Sequence, residues 1–141
     1  MNLEKLLEEN KIEKIEAKEF DMSLAERDLK VAKDMLNSED FDWALSIAYN
    51  AVLQAARALM FSLGYRPKGK NQHKTVFEFL ELAKIDNELT NYFDSTRKTR
   101  HIAVYDQAEY VSKSMAEEAV NQSGAFVQKI RTFVQKIRTT K

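Results

Sequence analysis

The segment STRKTRHIAVYD, Ser95 to Asp106, gathers two arginines, a lysine and one of the two histidines of the chain. Arginine stays charged at any ordinary pH, and its planar fork of donors matches the oxygens of a phosphate. Histidine titrates near neutrality and can carry a proton to or from a reacting oxygen. The chemistry these types suggest is the binding of a phosphate, with a group able to move a proton beside it.

At 100° per residue, Leu89, Phe93, Thr96, Ala103 and Val104 gather on one side of a helix, and Arg100 falls inside that apolar sector. Arg97 and His101 lie one turn apart at its edge, with Tyr105 a turn further. A core-facing arginine needs a counter-charge. Two sources are open: an internal carboxylate, from Asp28, Asp34, Glu39, Asp40 or Asp42, or the phosphate of a ligand.

Other chemistries find little support. The chain has no cysteine, so neither a disulfide framework nor a thiolate metal site can form, and two histidines with no Asp-rich loop argue against zinc and calcium. No glycine-rich phosphate cradle, dinucleotide fingerprint or Gly-x-Ser-x-Gly elbow is present. No metal and no cofactor is expected, and a nucleotide would be held by arginines and helix ends.

The elements that position these residues are helices. At 141 residues with three glycines and one proline, the chain suits one domain with few hairpin signals. Residues 1–20 read as a charged N-terminal segment, a loosely docked helix from about Leu3 to Lys18, and residues 21–141 as a helical bundle with an extended C-terminal helix. Within the bundle the first helix spans Ser23 to Leu36, with Leu24, Leu29, Val31, Ala32, Met35 and Leu36 apolar. From Phe41 to Leu63, Ala44, Ala48, Ala51, Val52, Ala55 and Leu59 form a stripe while Ile47, Tyr49, Leu53, Met60 and Phe61 occupy the rest of the circumference. A helix apolar nearly all round is central in its domain or covered by a partner. Gly64 stops it, and Tyr65 to Lys70 read as a loop.

A short helix from His73 to Ala83 and another from Asn87 to Val104 follow. The last begins near Ser114, where Ser114-Met115-Ala116-Glu117 fits a capping box. FVQKIRT at Phe126 to Thr132 recurs at Phe133 to Thr139, which prolongs a stripe of Phe126, Ile130, Phe133 and Ile137. Net charge is zero, yet Arg66, Lys68, Lys70 and Lys74 cluster, as do Lys129, Arg131, Lys136, Arg138 and Lys141. Each cluster is either a solvated face or a phosphate-contacting patch. No uncharged apolar run approaches the ~20 residues of a membrane span, and Met1 to Phe20 lacks secretory-signal character. A cytoplasmic protein is expected.

Three passages, DFDWALSIAYNAVLQAARALMFSLGYRPKGKNQHKTVFEFL, TRKTRHIAVYD and VSKSMAEEAVNQSGAFV, together resemble HEPN domains, in particular the small stand-alone archaeal and bacterial members. The resemblance spans roughly residues 21 to 130. It implies an all-α, antiparallel up-and-down bundle of four to five helices that dimerises, with a polar cleft near the subunit interface. Many members cleave RNA without a metal through an Arg-x4-6-His motif and are partnered with a small nucleotidyltransferase in toxin–antitoxin pairs; others are binding modules.

On this sequence the motif arginine falls on Arg100, its following polar residue on His101, and its histidine position on Tyr105. Arg97 with His101 has three intervening residues, so neither alignment meets the nuclease pattern. A ribonuclease reading uses Arg100 for the phosphate, His101 as the base and Tyr105 as an acid or donor. Arg97, His73, Tyr49 and Asn50 are the further candidates for phosphate or nucleotide binding. The rival is a noncatalytic dimeric module that binds or regulates a partner such as a nucleotidyltransferase, and the missing motif histidine favours it. Tyr105 is also a candidate for nucleotidylation by such a partner.

Overall fold

The alanine stripe on the third helix sets the architecture. In the computed structural model, which describes residues 2–139, α3 (Phe41–Ser62) runs through the centre and buries Ala44, Ala48, Ala51, Val52, Ala55 and Leu59 completely. Tyr49, Leu53 and Met60 on the rest of its circumference are buried as well, while Ile47 and Phe61 are half-buried and Trp43 is exposed. By length and composition α3 would suffice to cross a bilayer, yet 72% of that window is buried by the protein itself.

Around this axis lie α1 (Glu4–Glu8), α2 (Ser23–Asn37), α4 (Gln72–Ala83), α5 (Asn87–His101) and α6 (Lys113–Thr139). The expected all-α bundle is what forms. Small side chains let α2 and α6 pack closely on α3: Ala25 and Ala32 from α2, and Ala116 and Ala119 from α6, are all buried. Ser123 Oγ donates to the Ala48 carbonyl across the α6–α3 contact at 2.8 Å. The larger side chains sit towards the other end, where Phe93 stacks on Phe126 with ring centroids 5.9 Å apart. On α2 the face that packs is Ala25, Asp28, Leu29 and Ala32, a repeat of three and four residues, and Leu24 falls outside it and is exposed.

The N-terminal segment differs from a single helix. After five helical residues Asn10 takes a left-handed backbone conformation, and β1 (Ile12–Lys14) pairs antiparallel with β2 (Tyr65–Pro67). Ile12 faces Pro67, and Glu13 faces Arg66 and forms an ion pair with it. Leu3, Leu6 and Ile12 are buried in the main core. An asparagine tolerates φ near +60° better than most residues, so it is a natural break in a charged helix. Tyr65 to Pro67 is therefore the return strand of this ribbon, entered through Gly64 at φ +86°.

Two further boundaries move. The cap of α6 is Ser112, whose hydroxyl accepts from the Met115 N–H, and not the Ser114 box. At the other end of the connecting segment α5 passes at His101 into a π-helical turn, Ile102–Asp106. In the duplicated stretch Phe126, Val127, Ile130 and Val134 are buried, while Phe133 is only partly so. Seven residues fall about 20° short of two full turns, and the second copy lies nearer the end of the bundle. Lys141 lies outside the described residues.

Candidate functional site

Three helices converge behind the arginine-rich segment. Tyr49 comes from the middle of α3, His73 from the first turn of α4, and Arg97 and Arg100 from the last turns of α5. The phenol of Tyr49 and Nδ1 of His73 are 3.2 Å apart. The Arg100 guanidinium carbon lies 5.5 Å from the centre of the Tyr49 ring, a cation–π contact, and the Phe77 ring is tilted against Tyr49 with centroids 5.9 Å apart. Tyr49 itself is fully buried.

In front of them opens a cleft of about 530 Å³, walled by His73 and Lys74 on one side and by Arg97, Lys98, Arg100 and His101 on the other. Asn71 and Gln72 complete the α4 edge. Asn71 holds a left-handed backbone and supplies no side-chain cap, so the first-turn N–H groups of α4 have no intrahelical acceptor and no capping side chain. A helix start of this kind favours an anion. Four permanent cations and one helix N-terminus thus face a common space.

Arg100 is the unusual member. Its Nε is buried without any hydrogen-bond partner, and no carboxylate pairs with it among the described residues. Two of the acids that could have neutralised it, Asp28 and Asp42, are engaged elsewhere. Asp28 accepts from Arg27 at 3.0 Å and from the Asn50 amide at 2.9 Å, and Asp42 accepts from the backbone N–H groups of Glu109 and Val111. Leaving a buried charged donor unmatched costs about 1–3 kcal/mol or more. The Tyr49 ring offsets part of that cost; a phosphate oxygen in the cleft would offset the rest.

The electrostatics follow. Burial, with the charges of Arg57, Arg100 and Arg97 added, pushes His73 down to about 4, so it is neutral at physiological pH. Burial likewise raises the Tyr49 phenol above its ordinary range, against the pull of Arg100. Arg97 is held by Asp94 at 3.3 Å, which fixes it at the rim without burying its charge.

The structure therefore brings together Tyr49, His73, Arg97, Arg100 and His101. Tyr105 stands beside them on the π turn, largely exposed, with its ring 5.0 Å from that of His101. Asn50 is the exception among the sequence candidates, since its amide is spent on Asp28 of α2. Residues missed from the sequence are Asn71, Gln72, Lys98 and Arg57. Arg57 had a signal: it is the single charge in the interior of an otherwise apolar helix.

Compared with the models of known protein families, residues 18–134 match the HEPN domain. The chain belongs to the HEPN domain family. A candidate toxin of Methanocaldococcus jannaschii is also similar, 27% identical over 112 residues that cover 78% of this chain and 76% of the relative. In this HEPN chain Arg100 is half-buried with its Nε unpartnered, and the turn Ile102–Asp106 carries Tyr105 beyond it. The π turn between the two is closed by the Gln107 N–H donating to the Ile102 carbonyl at 2.8 Å. Such turns are frequent at functional sites.

Proposed function

We propose that this HEPN protein serves a toxin–antitoxin or related defence system and binds RNA through its phosphates at the Arg97–Arg100 cleft. The observation that carries this reading is the buried Arg100 Nε, a charged donor with no acceptor among the described residues, beside a neutral histidine and an uncapped helix start. The similarity to a candidate toxin supports the biological setting.

In the cleaving form of the reading, a ribose 2′-hydroxyl loses its proton to His101, which is exposed and free of the Tyr49 contact. The 2′ oxygen bonds to phosphorus as the 5′ oxygen leaves, Arg100 and the α4 N-terminus stabilise the charge on the phosphorus oxygens, and Tyr105 gives the leaving oxygen its proton. The protein works as a homodimer, with the cleft close to the partner copy. In the noncatalytic form the same cleft binds without cutting and the dimer engages a nucleotidyltransferase; tyrosine at the motif's histidine position favours this second form.

The experiment is cleavage of a mixed RNA pool in EDTA by the wild type, Arg100→Ala and Tyr105→Phe, purified identically. Activity lost in Arg100→Ala establishes the ribonuclease. Equal background from all three, with RNA retained on the wild type alone, establishes the binding module. Equal background with no RNA retained by the wild type at low salt defeats both.

A further inference from the structure

A second hollow, of about 330 Å³, adjoins the cleft and shares Gln72 with it as a common wall. It is lined by Arg57, Phe61, Arg66, Lys68 and Glu13, with Gly69 at the turn. The two loop cations are matched within it: Glu13 takes the ion pair from Arg66 and approaches Lys68 at 3.8 Å. Arg57 is not matched. It is half-buried on α3, and among the described residues it has neither an ion pair nor a hydrogen bond.

Its charge reaches the cleft, where it acts on His73 more strongly than those of Arg100 and Arg97. Arg57 also borders another hollow, where Glu19, Asp21 and Glu26 balance Lys18, Arg131 and Arg57 itself, so that one attracts an anion less than the hollow beside the cleft. The unmatched cation is thus available on the side that joins the cleft.

We propose that Arg57 receives a second backbone phosphate, so that the ligand of the cleft is a single-stranded polynucleotide and not a mononucleotide. The inference rests on the phosphate-binding reading of Arg100 and adds to it the length of the ligand. A strand passing from Arg100 over Gln72 to Arg57 places one phosphate at each of these two guanidiniums.

The test compares two probes, a labelled 2′-O-methyl oligouridylate, which cannot be cleaved through its 2′ oxygen, and uridine monophosphate. Arg57→Gln is expected to weaken the oligomer about tenfold and to lower the slope of log affinity against log salt by about 0.7, with uridine monophosphate weakened far less. Arg57→Lys, which keeps the charge, is expected to restore most of the oligomer affinity, and circular dichroism of both variants verifies the fold. If Arg57→Gln leaves the oligomer unchanged while Arg100→Ala weakens both probes, the second subsite is wrong and the cleft reading stands. If Arg100→Ala changes neither probe, the cleft reading fails and this inference with it.

Discussion

The phenol of Tyr49 donates to Nδ1 of His73 across the α3–α4 contact, at 3.2 Å. The proton is assigned from the network: the phenol is fully buried, and this is its one hydrogen bond among the described residues. Were the imidazole the donor, the phenolic proton would be left without an acceptor; with the phenol as donor, only oxygen lone pairs go unused. His73 is then neutral with its remaining proton on Nε2, so it offers the cleft a donor and not a base. Tyr49→Phe is expected to cost about 1 kcal/mol of stability and to release His73 into a mixture of tautomers. Imidazole ¹⁵N shifts read the tautomer, and an unchanged Nε2–H form in the variant would refute the assignment.

The same histidine makes stability depend on pH. Its pKa falls from an ordinary 6.5 to about 4 on folding, chiefly through burial. Between those values the unfolded chain binds a proton that the native protein refuses, so the contribution is fully present above pH 6.5 and is lost as pH falls towards 4. The expected outcome is that the stability advantage of wild type over His73→Gln shrinks steadily from pH 7 to pH 4. Denaturant melts across that range measure it, and a constant difference would contradict the burial and charge argument.

Arg100 is expected to trade stability for binding. Arg100→Met removes a buried donor that has no acceptor and keeps an apolar contact with Tyr49. The unliganded protein should gain up to about 1 kcal/mol, the cost of the orphan donor less the cation–π contact, while losing oligonucleotide binding. A thermal melt and a binding titration on the same preparation check both halves; a destabilised variant would mean that the guanidinium has a structural partner.

How much of this was legible in the sequence depends on the element. The α3 stripe read directly, because alanines spaced three and four apart leave little choice of buried face, and all six of its residues are buried. Arg100 on the core side of α5 was readable from the same periodicity. The short β1–β2 ribbon was not, since three-residue strands carry no periodicity and their pairing spans more than fifty residues. The π turn was hidden for a related reason: Ile102 to Asp106 reads as one more turn of α-helix until its hydrogen bonds are known. Ser112 rather than Ser114 as the α6 cap was a two-residue ambiguity of the kind helix ends usually present. Tyr49, His73 and Arg100 lie on three helices, and only packing shows that they meet.

Asp42 anchors the segment that follows the π turn. Its two carboxylate oxygens accept from Glu109 N–H at 2.7 Å and Val111 N–H at 2.9 Å, just beyond the π turn. Val111 is buried in the α2–α3–α6 core, so the clamp connects the turn to the bundle. Asp42→Ala should cost about 2 kcal/mol, as hydrogen bonds to a charged acceptor do. Amide exchange from residue 102 to residue 111 should accelerate before the helices are affected; acceleration confined to α3 would exclude the clamp.

The most direct measurement is a titration of the wild-type protein with the 2′-O-methyl oligouridylate, followed through the arginine Nε–H signals in a ¹H–¹⁵N spectrum, with Arg100→Ala used to assign the Arg100 resonance. The account predicts that this signal moves on binding as a buried donor acquires a phosphate acceptor, and that Arg100→Ala loses the affinity. An Arg100 signal that stays in place while the oligomer binds would show that RNA is held elsewhere and would contradict the central claim.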